Sequence, residues 1–198
     1  DKVVVFTGAA GGIGSAIALG MACAGARIAL CDINENLLSD IQNRITEAGG
    51  NASSYLLDVT KKDCVTECID KIGKAYGQID VLVNCAGINK REGFMDVREE
   101  TYDRIMDINL KGVFLVTQAV APFMKNQRKG SIINIGSHNT GSILGGCSVY
   151  GATKCGVLSL TRSMAVEWAK YNIRANCVSP GHIPTAFTVP SWAHPERP

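Results

Sequence analysis

A tyrosine and a lysine four residues apart, in the stretch SVYGATKCG, form the first pair in this sequence whose types could do chemistry. On a helix this spacing places the side chains of Tyr150 and Lys154 on the same face, one turn apart. A phenol beside an ammonium group can exchange a proton with a substrate, because the positive charge favours the phenolate. The pair could also be a surface contact, since chance nearly supplies one such spacing in a chain of this length.

A glycine-rich turn, TGAAGGIGSAI, follows the first apolar run and precedes a predicted helix. Glycine permits a tight turn and lets backbone N–H groups approach a pyrophosphate, which the helix N-terminus also attracts. No Gly-Lys-Ser/Thr sequence follows, so the turn is not a P-loop. Between a strand and a helix the turn predicts a dinucleotide site, with a plain tight turn as the alternative.

Two acidic residues end the second and third apolar runs. At Asp32 a carboxylate can accept hydrogen bonds from both hydroxyls of an adenosine ribose, and it would repel a 2′-phosphate. No Arg or Lys directly follows it, which favours NAD over NADP. Asp58 ends the next run at the sheet edge where ligands bind, so it could contact adenine. Each residue could instead cap the helix that follows it.

Apolar runs alternate along the chain with amphipathic, helix-like segments. Six runs joined by five such segments predict an α/β fold, a Rossmann-type doubly wound parallel sheet with helices on both faces. The proline-rich segment after residue 180 is predicted to be loop. The predicted strands are 3–7, 27–32, 52–59, 81–87, 131–137 and 173–180, and the predicted helices are 13–24, 35–48, 61–76, 99–127 and 149–171.

Composition excludes several classes of function. The net charge of +2 does not favour binding to nucleic acid or to a membrane surface. No apolar run is long enough for a spanning helix. The cysteines form no CxxC pair and make no metal-ligand pattern with the histidines, so no metal site is predicted. Several cysteines lie inside apolar runs, which favours free thiols in a reducing compartment and therefore a cytoplasmic protein.

From residue 2 to about residue 185 the sequence resembles the short-chain dehydrogenase/reductase family, in its compact single-domain branch. The glycine turn TGAAGGIG matches the family's TGxxxGxG, and DV at 58–59 matches its adenine-site pair. NCAG at 84–87 matches NNAG, with Cys85 in place of the second Asn. PGHIPT at 180–185 matches PGxIxT. The motifs occur in the family's order, which makes the resemblance specific.

Four further positions match the family's catalytic residues: Asn109 in DINLKG, Ser137 in IINIGS, and Tyr150 with Lys154 in YGATK. The resemblance implies that Tyr150 is the general acid/base when a hydride moves between a secondary alcohol and nicotinamide. It implies that Ser137 holds the substrate oxygen and that Lys154 binds the nicotinamide ribose. It also implies that Asn109 fixes a water that relays protons to Lys154. Singly, a Ser could end a strand and an Asn could cap a helix; together they predict an NAD(H)-dependent oxidoreductase.

The resemblance further implies cofactor contacts from the pyrophosphate to the nicotinamide. Cys85 leaves this expectation intact, because the backbone there matters more than the side chain. The expected cofactor-binding residues are Gly8, Gly12, Ile13, Gly14, Asp32, Asp58, Val59, Asn84, Ala86, Gly87, Tyr150, Lys154, Pro180, Gly181, Ile183 and Thr185.

Tyrosine can act as a base near neutral pH only if its pKa falls. Lowering a pKa of about 10 by about 2 to 3 requires roughly 3–4 kcal/mol in favour of the phenolate. An ammonium about 4 Å away supplies about 1 kcal/mol in water, but about 4 kcal/mol at an effective dielectric constant near 20. We therefore expect Lys154 to lower the pKa of Tyr150 in a partly dried cleft, with oxidised nicotinamide adding to the effect.

Polar residues beside the expected cleft indicate the substrate. Arg91 follows the NCAG turn and would suit a carboxylate, whereas His138 follows Ser137 and could meet hydroxyls. The run NAGI–x–x–R and the helix end near 167–176 are similar to those of gluconate 5-dehydrogenase-like and related sugar-acid and polyol dehydrogenases. We predict such a substrate, contacted by Arg91, Ser137, His138 and Tyr150, although Arg91 could equally be a solvated loop charge.

Other functions use related motifs. A reductase of another small carbonyl or of an acyl thioester would use the same four catalytic residues. A non-catalytic NAD-binding sensor would be expected to lack Tyr150 or Lys154. A nucleotide-sugar epimerase usually has a GxxGxxG turn in a longer chain.

Members of the family usually run to about 250 residues as one domain and assemble through their two long helices. We expect residues 1–198 to form a single dinucleotide-binding and catalytic domain without the family's C-terminal substrate loop and last strand. The resemblance also implies a homotetramer or homodimer through helices 99–127 and 149–171.

Overall fold

The computed structural model describes residues 1–186, and these residues form a six-stranded parallel sheet with helices on both faces. This confirms the predicted Rossmann-type fold. The strands are β1 (Val3–Thr7), β2 (Arg27–Asp32), β3 (Asn51–Leu56), β4 (Val81–Asn84), β5 (Gly130–Ile135) and β6 (Ile173–Val178), and the helices are α1 (Gly12–Cys23), α2 (Glu35–Glu47), α3 (Lys62–Tyr76), α4 (Glu99–Met106), α5 (Gly112–Gln127) and α6 (Ser148–Trp168).

The central strand β1 shows why the sheet is covered on both sides. All five of its residues are buried. Val4 and Phe6 point into one apolar cluster and Val5 into the other, as the twofold period of a strand requires. Each such side chain contributes about 1.5–3 kcal/mol when it is removed from water. A strand that is apolar on both faces therefore specifies a middle layer between helices.

The strand order β3-β2-β1-β4-β5-β6 reverses direction next to β1. β1 pairs with β2 on one side and with β4 on the other, all in parallel. The connections that leave β1 and β4 therefore run to opposite sides of the sheet and open a crevice at the carboxyl ends of these strands. This crevice holds the candidate site.

The predicted helix 99–127 is helical over its whole range, but it is not a regular α-helix throughout. It consists of α4, a five-residue π-helical segment (Asp107–Lys111) and α5. A π-helical turn adds one residue to a turn without ending the helix. The apolar pattern therefore continues through it. The inserted segment contains Asn109, which is fully buried.

Several predicted strands are too long at their C-terminal ends. β3 ends at Leu56 instead of residue 59, β4 at Asn84 instead of 87, and β5 at Ile135 instead of 137. The apolar run continues in each case, but the residues leave the ladder and turn along the crevice. Apolar residues occur both where the chain is buried at the crevice and where it is buried in the sheet, so apolarity alone does not show where a strand ends.

Residues 179–186 contain no helix or strand, in agreement with the predicted loop. The prolines at 190, 195 and 198 lie outside the described residues. Among helices within the described chain, none combines the length and apolarity needed to cross a membrane. An apolar groove of about 540 Å³ runs between α5 and α6 and includes Phe114 and Trp168. The homotetramer or homodimer through these helices stays a prediction.

Asp80 connects the amino ends of β1 and β5, at the edge of the sheet opposite the crevice. Its carboxylate accepts hydrogen bonds from the Val3 amide (2.9 Å), from Lys2 Nζ (3.0 Å) and from Gln78 Nε2 (2.8 Å). Its carbonyl accepts from the Ser131 amide at 3.0 Å. Burial raises the pKa of Asp80, but the Val3 and Lys2 contacts outweigh it and hold the pKa below its usual range.

Asp80→Asn should therefore lower stability in a pH-dependent way. Because folding lowers the pKa of Asp80, its contribution is complete above the unfolded pKa of about 3.9 and is lost as the pH falls through the folded value. We expect a loss of about 1–3 kcal/mol at pH 7 that shrinks below about pH 4, measured by urea unfolding across pH.

Asp40→Asn is the matched control, because the Asp40 side chain is 64% exposed and its ion pair with Arg44, at 4.0 Å, is on the surface. It should change stability by no more than about 0.5 kcal/mol. Equal effects of the two substitutions at pH 7 would contradict the role given to Asp80.

Candidate active site

A cleft of about 930 Å³ opens at the carboxyl edge of the sheet, where the strand order reverses. It runs from the ends of β2 and β3, past the glycine-rich turn, to α6. Its length along the sheet edge suits an extended dinucleotide. The predicted cofactor residues that line it are Gly8, Gly12, Ile13, Gly14, Asp32, Asp58, Val59, Ala86, Gly87, Tyr150, Lys154 and Thr185.

Gly8 sets the shape of the glycine-rich turn. Its φ of +69° lies in the left-handed region that L side chains rarely adopt. A Cβ at this position would lie 2.5 Å from the Ala86 amide nitrogen. The turn after β1 and the loop after β4 therefore touch backbone to backbone. Farther along, the Thr185 side chain packs over Gly12, so the segment after β6 reaches back across the turn.

Asp32 connects the glycine-rich turn to the end of β2. Its carboxylate accepts hydrogen bonds from the Ala10 amide (3.0 Å) and from the Asn34 amide (3.1 Å). Asp32 is not the N-cap of α2. That role is taken by Asn34, whose side chain accepts a hydrogen bond from the Leu37 amide. Asp32 thus faces the cleft with one carboxylate oxygen fixed against the turn.

Asp58 lines the same end of the cleft and does not cap α3. Its carboxylate accepts from the Thr60 amide at 2.9 Å and from the Thr60 hydroxyl at 2.7 Å. Burial raises the pKa of Asp58, but these two hydrogen bonds and the nearby Lys61 charge outweigh it and leave the pKa lowered. The carboxylate is therefore ionised at neutral pH.

Asn109 holds the loop after β4 against the helices. Its Oδ1 accepts from the Ile88 amide, and its Nδ2 donates to the Ile88 carbonyl, each at 2.8 Å. A second Nδ2 proton points to the Thr153 hydroxyl at 3.3 Å. A side chain at the neighbouring Gly87 would crowd both Asn109 and Lys154, at 3.3 Å and 3.7 Å. Asn109 is therefore placed beside the cleft but not on its surface.

Tyr150 and Lys154 lie in one turn of α6, as their spacing predicts. The Lys154 Nζ is 5.6 Å from the centroid of the Tyr150 ring and donates a hydrogen bond to the Ile135 carbonyl at 2.7 Å. Lys154 is only 5% exposed. This burial lowers its pKa to about 8.

The pKa of Tyr150 differs from the expectation. Burial raises it above the usual value, and the hydrogen bond with Ser137 only partly offsets this. The ammonium of Lys154 is directed to the Ile135 carbonyl, which weakens its effect on the phenol. In this arrangement Lys154 does not produce the lowered Tyr150 pKa that the sequence led us to expect.

Ser137 lies just after β5, next to Tyr150. Its hydroxyl accepts from the Asn139 amide at 3.2 Å and forms a side-chain hydrogen bond with Tyr150. Ser137 is 8% exposed. The structure thus brings Ser137, Tyr150 and Lys154 to one end of the cleft, with Asn109 directly behind them.

Other predicted residues lie away from the lining. Asn84 is buried, and its amide donates to Thr117 and Asn134. The Arg91 Nε donates to the Gly145 carbonyl at 3.1 Å, so Arg91 joins two loops.

The expected nicotinamide-side residues Pro180, Gly181 and Ile183 do not line the cleft in this arrangement. The Pro180 carbonyl accepts from the His138 amide at 3.0 Å. The centroids of the His138 and His182 rings lie 5.4 Å apart. These contacts tie the segment after β6 to the loop after β5.

Sequence reasoning missed two sets of residues. Charged side chains of α4 and the π-helical segment line the adenine end of the cleft: Glu100, Asp103, Arg104 and Asp107. Their spacing of three and four residues along a helix was the available signal. Cys85 also lines the cleft, and burial raises its pKa to about 11.

Three buried polar atoms near the catalytic end have no hydrogen-bond partner among residues 1–186. They are the Oδ1 atoms of Asn89 and Asn139 and the Oγ of Ser148. Asn139 is only 2% exposed. Buried polar groups are normally paired, so these atoms can accept or donate a hydrogen bond from water or a ligand.

Comparison with known proteins identifies the family. The sequence model described as short chain dehydrogenase matches residues 2–196. The chain belongs to this family of oxidoreductases. A curated relative, the 3-oxoacyl-[acyl-carrier-protein] reductase FabG of Thermotoga maritima, is 42% identical over 189 residues, which cover 94% of this chain and 76% of the relative.

Two solved structures of family members superimpose closely. The NAD⁺-bound xylitol dehydrogenase has a TM-score of 0.92 and 36% identity, covering 94% of this chain and 72% of that one. The gluconate 5-dehydrogenase of Burkholderia cenocepacia J2315, in complex with NADP and tartrate, has a TM-score of 0.93 and 35% identity, covering 98% and 76%. The comparisons confirm the predicted family and enzyme class.

Gly8→Ala should destabilise the protein more than Gly25→Ala, although both glycines have positive φ. Gly25 has no atom within 4 Å of a built Cβ, so alanine there adds only backbone strain of about 1–2 kcal/mol. At Gly8 the clash with Ala86 adds to that strain, and we expect a total of at least about 3 kcal/mol. Urea unfolding of both variants measures the difference, and equal losses would contradict the backbone contact.

Proposed function

We propose that the protein is an NAD(H)-dependent oxidoreductase that interconverts a secondary alcohol and a ketone, with Tyr150 as the general acid/base. The observation that carries the proposal is the hydrogen-bonded group of Ser137 and Tyr150 with Lys154 beside it, at one end of a cleft that suits a dinucleotide. Asn109 and the glycine-rich turn fix the walls of the same cleft.

The residues of the cleft fit a nicotinamide dinucleotide. The glycine-rich turn leaves space for a pyrophosphate beside the N-terminus of α1, and Asp32 is placed to accept from a ribose. When bound, the cofactor supplies the nicotinamide that accepts or donates the hydride. Ser137 holds the substrate oxygen, and Tyr150 removes its proton in oxidation or returns one in reduction.

Lys154 has two roles in this proposal. Its positive charge favours the Tyr150 phenolate once its ammonium turns from the Ile135 carbonyl toward the cleft. Its pKa of about 8 also lets it pass a proton near neutral pH, whereas a lysine in water would hold that proton. The water relay through Asn109 stays a prediction.

NAD is the proposed cofactor because carboxylates dominate the ribose end of the cleft. Asp32 and Asp58 lie there, together with Glu100 and Asp103 of α4. Arg104 is a basic residue in the same lining, where it adjoins this acidic group in sequence. One solved relative contains NAD⁺ and another NADP, so the proposal of NAD rests on Asp32 rather than on the family.

A sugar acid or polyol is the proposed substrate. The xylitol and gluconate enzymes support it, and so do the unpaired polar atoms of Asn89, Asn139 and Ser148, which can meet several hydroxyls. Arg91 donates a hydrogen bond to a loop carbonyl. Among the residues predicted to contact the substrate, His138 and Ser137 are therefore better placed than Arg91. The FabG relative favours the alternative, a reductase of an acyl thioester or another small carbonyl.

We further propose a cytoplasmic enzyme that acts on a small molecule. All eight cysteines are free thiols, which suits a reducing compartment. A homotetramer or homodimer through α5 and α6 remains part of the proposal, supported by the apolar groove between them. A non-catalytic NAD sensor is the competing class.

Tyr150→Phe should reduce turnover at least about a hundredfold and leave NADH binding unchanged, because it removes the acid/base and little else. The assay follows nicotinamide absorbance with gluconate, xylitol and glycerol, compared with isopropanol and cyclohexanol. Acetoacetyl thioester with NADH tests the alternative. Tyr171→Phe, outside the cleft, should keep wild-type turnover.

Each class of function predicts a different result in this panel. Preference for the apolar alcohols or for the thioester would contradict the polyol substrate. Undiminished turnover in Tyr150→Phe would contradict the mechanism. NADH binding without turnover of any substrate would favour a sensor.

Asp32→Asn should shift cofactor preference toward NADP by at least about tenfold in the ratio of dissociation constants. It keeps the shape of the side chain but removes the charge that repels a 2′-phosphate. Asp58→Asn is the control, since Asp58 lies toward adenine and should weaken both cofactors equally. Fluorescence titration with NADH and NADPH measures the ratios, and an unchanged ratio for Asp32→Asn would contradict the NAD assignment.

A further inference from the structure

Thr153 lies between the catalytic tyrosine and lysine in sequence and is fully buried. Its hydroxyl donates a hydrogen bond to the Tyr150 carbonyl at 2.7 Å. The same oxygen accepts from Asn109 Nδ2 at 3.3 Å. A single hydroxyl therefore joins the first turn of α6 to the π-helical segment.

Beyond Thr153 the same chain of contacts reaches the loop after β4. Asn109 uses its other Nδ2 proton and its Oδ1 on the main chain of Ile88. Ile88 lines the cleft. A path from Ile88 through Asn109 and Thr153 to the Tyr150 carbonyl therefore connects the turn that carries Tyr150 and Lys154 to the cofactor wall.

We propose that Thr153 is a positioning residue of the active site. It holds the turn that carries Tyr150 and Lys154 at a fixed distance from Asn109 and the loop after β4. The inference rests on the proposed function of Tyr150, and it adds a residue that touches neither substrate nor cofactor. A threonine hydroxyl suits this role because it donates and accepts at once.

The Thr153 hydrogen bond could instead be a local helix contact with no role in the site, because threonines inside helices often donate to a carbonyl one turn back. Thr161, two turns farther along α6, tests it. Its hydroxyl donates to the Val157 carbonyl at 2.7 Å and accepts from Asn134 Nδ2 at 2.8 Å. It is also buried, at 4% exposed. Thr161 reproduces the chemistry of Thr153 at a place where it cannot orient the catalytic turn.

The experiment compares Thr153→Val, Thr153→Ser and Thr161→Val in the full chain. Turnover is measured with the best substrate of the alcohol panel. The pKa of Tyr150 is followed by NMR of isotope-labelled tyrosine with NAD present, and Tyr150→Phe identifies the signal. Thermal unfolding measures stability separately. Thr153→Ala replaces Thr153→Val if the valine variant does not fold.

Thr153→Val should lower kcat about tenfold with KM changed by less than about threefold, because misplaced groups lose rate more than binding. The pKa of Tyr150 should move as well. The groups that act on that phenol, which are Ser137, Lys154, Cys147 and Cys85, are unchanged in the variant. A moved pKa therefore reports their altered geometry. Thr153→Ser should behave as the wild type, and Thr161→Val should lose stability only.

A wild-type kcat and Tyr150 pKa in Thr153→Val would overturn the proposal. So would matching changes in Thr161→Val. If the wild type turns over no alcohol or ketone, the proposed function fails, while the Tyr150 titration still shows whether Thr153 positions that side chain.

Discussion

The paired hydrogen bonds between the Asn109 carboxamide and the main chain of Ile88 are the contact on which the site depends. They fix a loop at the carboxyl edge of the sheet to the π-helical segment between α4 and α5. Asn109 lies within this π-helical segment, where its side chain is fully buried. Breaking the contact would leave a fully buried amide unpaired, which costs about 1–3 kcal/mol.

Burial acts on the Tyr150 and Lys154 side chains in opposite senses and moves their proton affinities apart. It raises the pKa of the Tyr150 phenol and lowers that of the Lys154 ammonium to about 8. The Ile135 carbonyl compensates the lysine for lost water with one short hydrogen bond. The Tyr150 phenol therefore holds its proton more tightly than the Lys154 ammonium does, and Lys154 loses its proton first as the pH rises. In this arrangement the dry end of the cleft keeps the phenol protonated at neutral pH.

The fold was predictable because its elements repeat one strong signal. The apolar run VVVFT and its equivalents specify buried parallel strands, and the glycine-rich turn marks the point where the crevice must open. The juxtaposition of Tyr150 and Lys154 was predictable because the two residues share a helix turn. The π-helical segment was not, because one added residue leaves the apolar pattern intact. The contact of Arg91 with the Gly145 carbonyl was not predictable, since a loop arginine can reach solvent, ligand or carbonyl, and only the path of the neighbouring loop decides. The prediction of a lowered Tyr150 pKa failed because residue spacing indicates which side chains are neighbours but not the direction in which the Lys154 ammonium points.

Cys85 occupies the middle of the nucleotide cleft, where a thiol would ordinarily invite chemical attack. Its pKa of about 11 leaves on the order of one molecule in ten thousand as thiolate at pH 7. Alkylating agents and peroxides react with the thiolate, so Cys85 resists them, whereas Cys23 and Cys155 are exposed to solvent and accessible to such reagents. Thiol-directed labelling of the native protein would therefore mark its surface first and leave the nucleotide site intact.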